Sequence, residues 1–213
     1  MKVVNLKYVF LICTLLLSGC VSPLVATMPD EKTGNFPTSS KLKSEEIKIF
    51  KPINNLKQQK LSLAITSVDT SWDRTKSYKT YMKKMLENIG FVNITENSQL
   101  ETFIIKNNLN KEIPNLDNRI AYNQLSKYLG NYLIVTSNLE YIWQHRWKFT
   151  ITVYDPVSSN VKFYASTKAI SWSGVEKPIL LPVINALKKW FDESKKIQKK
   201  TINNNNRNSK DLI

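Results

Sequence analysis

Hydrophobic and polar residues alternate from Trp147 to Val153 and again from Val161 to Thr167, with turn residues between the two stretches. An alternation of period two is typical of a strand with one buried face, so this region predicts a β-hairpin with one face in water. The stretch from Tyr132 to Glu140 begins apolar on both faces, which suits a central strand covered by helices. A further half-buried strand is predicted from Leu61 to Thr66.

Helical spacing predicts four helices. The clearest runs from Tyr78 to Ile89, where large apolar side chains share one face, lysines occupy the other, and Gly90 stands where a left-handed C-cap belongs. The beginnings of the other three are marked by N-capping residues or by proline in a first turn. They are predicted to begin at the capping-box residue Ser98, at the cap residue Asp117 and at Pro178 or Pro182, the last with its apolar face from Val183 to Phe191.

With a short strand from Phe91 to Thr95, the predicted order is β-α-β-α-α-β-β-β-α. This order indicates an α+β fold, a mixed sheet of about five strands with helices packed on it. The globular domain is predicted over residues 60–194. Residues 20–59, rich in Pro, Ser, Thr and Lys without a sustained period, predict a flexible linker, with a short piece near Ile47 to Phe50 as a candidate to dock on the domain. The basic, Asn-rich residues 195–213 predict a disordered tail.

The first nineteen residues are typical of a secretory signal peptide. Lys2 and Lys7 precede or flank an apolar stretch that is too short to span a bilayer, which needs roughly 20 apolar residues. The stretch ends in Leu17-Ser18-Gly19-Cys20, which resembles the lipobox of bacterial lipoproteins. The alternative is an ordinary signal peptide that happens to carry a cysteine.

The lipobox resemblance implies that residues 1–19 are removed and that Cys20 is acylated, with palmitate among the chains attached. Val21 stands where many inner-membrane lipoproteins carry aspartate. The resemblance therefore implies an anchor in the outer membrane, with the protein facing the periplasm.

Net charge and cysteine content narrow the possible partners. The formal net charge is +14, which normally suggests a nucleic-acid partner, but an exported protein meets anionic lipids and anionic envelope polymers instead. Heavy use of Lys and Asn along the chain accounts for the charge equally well. Cys13 would leave with the signal and Cys20 would carry lipid, so no thiol would remain for a disulfide, a metal or a nucleophile.

No motif in the sequence indicates catalysis, a metal or a cofactor. The one histidine, His145, lies outside any known catalytic pattern, and the glycines are too scattered for a phosphate-binding loop. The segment from Asp69 begins like a calcium loop, but Arg74 replaces the required glycine and Thr80 the required glutamate. We predict a protein that is not an enzyme. An enzyme acting on cell-wall glycan through Asp or Glu residues is the weaker alternative.

The candidate contact surface lies at the turn of Trp143-Gln144-His145-Arg146-Trp147. Trp, Tyr and Arg dominate the energetics of interfaces, which predicts that Tyr141, Trp143, His145 and Arg146 contact a partner. The simpler interpretation is a polar turn between two strands, with two of the aromatic residues facing the core.

Four stretches of the chain resemble the CsgG/LpoB-like family of outer-membrane lipoproteins, whose periplasmic domain occurs in curli secretion and in the activation of penicillin-binding proteins. The stretches are Leu63–Asp69, Gly90–Glu96, Leu129–Thr136 and Val153–Val161. Ser159-Asn160 stands where the family usually has Thr-Gly, and Asn131 alone replaces Ala-Asp before the central strand.

This resemblance implies either pore formation or activation of a partner. A membrane hairpin needs strands of about 9 to 11 residues, and there is no room for one between Asp69 and Tyr78. We therefore favour a non-catalytic periplasmic binding or activator module for an envelope-assembly complex, with peptidoglycan synthesis as the candidate process. The partner would be a penicillin-binding protein or a secretion-system component. The alternative is a ring-forming structural component of a secretion, pilus or flagellar assembly, which oligomeric state would distinguish.

Overall fold

The computed structural model describes residues 24–53, 60–68, 75–172 and 174–208. The predicted signal peptide, Cys20 and residues 54–59 of the predicted linker lie outside them. The strands are β1 (Ile47–Phe50), β2 (Lys60–Val68), β3 (Ile94–Glu96), β4 (Tyr132–Trp143), β5 (Arg146–Asp155) and β6 (Asn160–Ile170). The helices are α1 (Thr75–Ile89), α2 (Asn97–Lys106), α3 (Arg119–Leu129) and α4 (Leu181–Asn208), the last preceded by a π-helical turn at Glu176–Leu180.

The described strands form one mixed sheet in the order β1-β6-β5-β4-β2-β3. The pairs β1–β6, β6–β5 and β5–β4 are antiparallel, whereas β2 is parallel to both β3 and β4. The predicted α+β class is confirmed. The sheet has one strand more than predicted because β1 adds an edge strand from within the segment predicted to be a linker.

Strand β4 is covered on both faces, as its apolar sequence predicted. Leu133 and Val135 belong to the larger core cluster, beneath α1 and α4, while Tyr132 and Ile134 belong to a second cluster beneath α2 and α3. In β5 only alternate residues face the larger core, since the period-two pattern there has one polar face. The two faces of the sheet are thus packed to different extents.

Two helices begin at residues other than those predicted. Asn118, not Asp117, is the N-cap of α3, and its side chain accepts a hydrogen bond of 3.0 Å from the Ala121 N–H. At α2 the capping box pairs Glu96 with Gln99 instead of starting at Ser98. Because neighbouring Asp, Asn and Ser can all cap a helix, the sequence alone does not choose among them.

Residues 24–53, here called the N-terminal strap, pack against the domain. The Phe36 side chain is fully buried, and its backbone N–H and C=O bond the Asn185 side chain at 2.7 and 2.9 Å. The Trp190 indole N–H donates to the Lys51 carbonyl at 2.9 Å. This differs from the predicted flexible linker because isolated apolar side chains in the strap find partners on a helix far along the chain.

Helix α4 also continues through Asn208, into the segment predicted to be a disordered tail. Within that segment Gln198 is buried. Packing of the first turns of α4 against the core supplies the stability that an isolated polar helix lacks.

Candidate functional site at the hairpin tip

The turn between β4 and β5 presents a cluster of apolar side chains at one end of the sheet. Trp143 pairs with Arg146 across the two turn residues Gln144 and His145, whose φ angles are 46° and 59°. Two positive φ values are typical of the type I′ turn, which matches the twist of a hairpin. The surface formed by this turn and the neighbouring end of β6, here called the tip patch, comprises Tyr141, Ile142, Trp143, His145, Ile170 and Trp172.

The structure brings together the four predicted contact residues, but it gives them different roles. Tyr141 packs its ring edge-on against Trp147, with centroids 5.0 Å apart, and its hydroxyl accepts the His145 backbone N–H at 3.2 Å. Trp147 is buried in the core, whereas Trp143 is 63% exposed. The expectation that two aromatic residues face the core therefore holds for Trp147 only, and Tyr141 lies at the boundary.

Trp172 is part of the patch although the sequence did not single it out. It lies just beyond β6, is 78% exposed, and stacks on the His145 ring with centroids 3.8 Å apart. The two segments are joined by a hydrogen bond of 2.9 Å from the Ser171 N–H to the His145 carbonyl. The available signal was a lone tryptophan between serines after an alternating strand, a position that no helix or strand period assigns to the core.

Basic side chains lie next to the tip patch. Arg146 and Lys168 are exposed, and Lys148 forms an ion pair of 3.4 Å with Glu140. Lys148 also lies directly opposite Lys168 on the neighbouring strand. Like charges placed opposite each other are unfavourable in a sheet. This end of the structure nevertheless carries positive charge beside exposed aromatic groups.

Glu176, four residues after Trp172 of the tip patch, carries a partly buried carboxylate. Burial raises the pKa of Glu176, although the Tyr81 hydroxyl, Lys177 and a hydrogen bond from the Val25 backbone each favour the charged form. Burial and the nearby Glu176 charge in turn raise the pKa of Tyr81. Within the described residues, neither the Tyr81 hydroxyl nor Glu176 Oε1 makes a well-aligned hydrogen bond. The start of the described strap, Glu176 and α1 therefore lie close together.

The described residues contain no group of three or more His, Cys, Asp or Glu side chains placed to hold a metal ion. None of the helices in this same part of the chain is long and apolar enough to cross a membrane. His145 itself contacts aromatic neighbours, Tyr141 and Trp172. Cys20 lies outside the described residues, so its lipidation stays a prediction, as does the contact of the tip patch with a partner.

No model of a known protein family matches the chain, and no curated protein matches its sequence. Similar solved structures include the LpoB C-terminal domain from Salmonella enterica, at 12% identity and a TM-score of 0.37, covering 53% of this chain and 83% of that chain. The LpoB C-terminal domain from Escherichia coli matches at 12% identity and a TM-score of 0.35, covering 52% of this chain and 82% of that chain. A PelC dodecamer from Paraburkholderia phytofirmans matches at 12% and 0.35, covering 67% and 88%. Likenesses of this size determine neither a family nor a function.

Proposed function

We propose that this chain is an outer-membrane lipoprotein, anchored through Cys20, whose periplasmic domain is a non-catalytic binding or activator module for an envelope-assembly complex. Peptidoglycan synthesis is the candidate process, and a penicillin-binding protein or a secretion-system component is the candidate protein partner. The lipobox-like end of the signal sequence supports the anchor. The tip patch supports the binding role.

The observation that carries the proposal is the exposure of large apolar side chains on a well-packed support. Trp143 and Trp172 are mostly in water, although the adjacent Trp147 is buried and a large core lies beneath the same hairpin. Contiguous apolar surface of this kind is typical of contact sites. Tyr141, Trp143, His145 and Arg146 are therefore the proposed contact residues, together with Trp172.

The binding role is tested with the whole processed protein in its own cells. Chemical crosslinking followed by purification under denaturing conditions should recover one defined envelope-assembly protein with the wild type. Adding the purified lipoprotein to that protein, reconstituted in vesicles, should then change its activity. Recovery of the same proteins with an unrelated lipoprotein, or no effect on the reconstituted partner, would refute the activator role.

The anchor is tested by Cys20→Ser, which removes the thiol that accepts lipid. One acyl chain binds a membrane only marginally, whereas two or more hold it stably. We expect the wild type to partition into detergent with acyl mass on its mature amino terminus, and Cys20→Ser to accumulate as an uncleaved precursor or a soluble form. A wild type without acyl mass would disprove the lipoprotein assignment.

A further inference from the structure

The tip patch combines the side chains that favour a membrane–water interface. Trp143, Trp172 and Tyr141 have amphipathic rings of the kind enriched at the headgroup level of bilayers. Ile142 and Ile170 are exposed aliphatic residues at the same end of the sheet. The composition also suits a protein interface, so a second observation has to decide between a lipid and a protein occupant.

That observation is the position at which the strap begins. The Val25 backbone lies beside the Glu176 carboxylate, and Leu24 and Ala26 pack against the larger core cluster. Glu176 follows Trp172 by only four residues. The described strap therefore starts beside the segment that follows the tip patch, next to a residue only four positions after Trp172.

The strap also limits how far the domain can move from its anchor. Cys20 and Leu24 are four positions apart, a separation that a fully extended chain spans in about 14 Å. Further along the strap, Thr38 Oγ1 donates to the Lys177 carbonyl at 2.5 Å and Ser40 Oγ to the Pro178 carbonyl at 2.8 Å, so the strap returns to the segment that follows the tip patch. A lipid on Cys20 would hold the tip end next to the bilayer.

Charge at this end is complementary to an anionic leaflet. Arg146, Lys168 and Lys177 are exposed close to the patch in sequence. Each basic residue near an anionic membrane surface contributes favourably to binding. Of the carboxylates nearby, Glu140 is paired with Lys148, and burial favours the neutral form of Glu176.

We infer that the tip patch is a membrane-contact surface whose occupant is the lipid surface carrying the Cys20 anchor. This rests on the lipid anchor of the proposed function and names the partner of its contact surface. The tryptophans of the turn enter the interface, the basic residues meet the headgroups, and the anchor and the patch hold the domain in one orientation.

The direct test uses the processed, lipidated protein in vesicles of anionic and zwitterionic phospholipids with brominated acyl chains, which quench tryptophan at short range. We expect wild-type fluorescence to be quenched relative to ordinary vesicles. The Trp143→Phe, Trp172→Phe double variant should lose most of that quenching, while buried Trp147 and Trp190 still emit. Equal emission of the wild type in brominated and ordinary vesicles would overturn the inference.

A second readout measures affinity without the anchor. The mature chain carrying Cys20→Ser should sediment with anionic vesicles, and Trp143→Ser with Trp172→Ser should weaken this by about tenfold or more, since interfacial binding scales with the apolar area buried. The matched control is Ile105→Ser with Ile120→Ser, two residues that are 62% and 70% exposed on α2 and α3. An equal loss in the control would overturn the inference.

The outcomes separate this inference from the proposed function. A photocrosslinker at position 143 that captures one protein, with no quenching by brominated lipid, would make the tip patch a protein contact and leave the proposed function standing. Quenching without any effect on an envelope-assembly partner would support the membrane contact and refute the activator role. Absence of acyl mass at Cys20 would remove the premise of both.

Discussion

Strand β5 has a turn at each end, and the two turns differ in whether their side chains find partners within the protein. At the C-terminal end of β5, Asp155 accepts hydrogen bonds from the Val157 and Ser158 N–H groups at 3.1 and 3.4 Å and from the Ser158 hydroxyl at 2.7 Å. Lys162 adds an ion pair at 3.5 Å. This turn satisfies its polar groups internally, which is the usual solution for a loop.

At the start of β5, the tip patch leaves large apolar groups in water instead. Its turn conformation is held by backbone pairing and by the contacts of Tyr141, which do not require Trp143 to be large. Stability therefore explains the residues of the Asp155 turn but not those of the tip patch. The proposed contact role would account for this difference.

The largest expected effect separates the two tryptophans that flank the tip turn. Trp147→Ala removes a buried side chain from the core and should lower the free energy of unfolding by about 3–5 kcal/mol. Trp143→Ala should change it by no more than about 0.5 kcal/mol, as is usual for surface substitutions. Urea unfolding of both variants measures the contrast, and similar losses would show that Trp143 is structural after all.

At the opposite turn, Asp155→Ala should cost about 1–3 kcal/mol, because it removes three hydrogen bonds to a charged acceptor that is itself buried. Asp155→Asn is the control, since its amide oxygen can still accept from the Val157 N–H while the charge facing Lys162 is lost. Thermal unfolding of the two variants separates the hydrogen bonds from the ion pair. An Asp155→Ala variant as stable as the wild type would contradict a self-satisfied turn.

Glu176, four residues after Trp172, should make the free energy of unfolding depend on pH. Its pKa is raised in the folded state chiefly by burial, so between its unfolded and folded pKa values the folded chain binds more protons. Stability should thus fall as pH rises through the folded pKa, and Glu176→Gln should be the more stable protein above it and similar below the unfolded value. Unfolding curves from acid to neutral pH measure this, and a constant difference between the two proteins would exclude the effect.

The smallest effect on stability is expected from the double variant Trp143→Ser, Trp172→Ser. Its melting temperature should stay close to that of the wild type, because both side chains are mainly in water and only the Trp172 stacking on His145 is lost. Circular dichroism during heating provides the measurement. A large drop in melting temperature would mean that the patch supports the fold, and the comparison of the two turns would lose its meaning.

The sequence predicted those elements whose burial has a period. The alternation in β5 and β6, the doubly apolar β4 and the one-sided face of α1 each reflect packing against a single neighbouring layer, so residue spacing alone revealed them. It also located the aromatic turn, because Trp and Tyr are concentrated there within seven residues. Cap residues were less certain, as Asp117 and Asn118 show.

Only the tertiary structure decided which distant segments meet. Phe36 is buried because it reaches Asn185, 149 positions along the chain, and no local pattern of the strap records that contact. Trp172 joins the tip patch because β6 returns beside β5 and places it against His145. The sequence thus determined the local elements and the aromatic turn, whereas the strap and the complete patch depend on contacts between segments whose spacing carries no period.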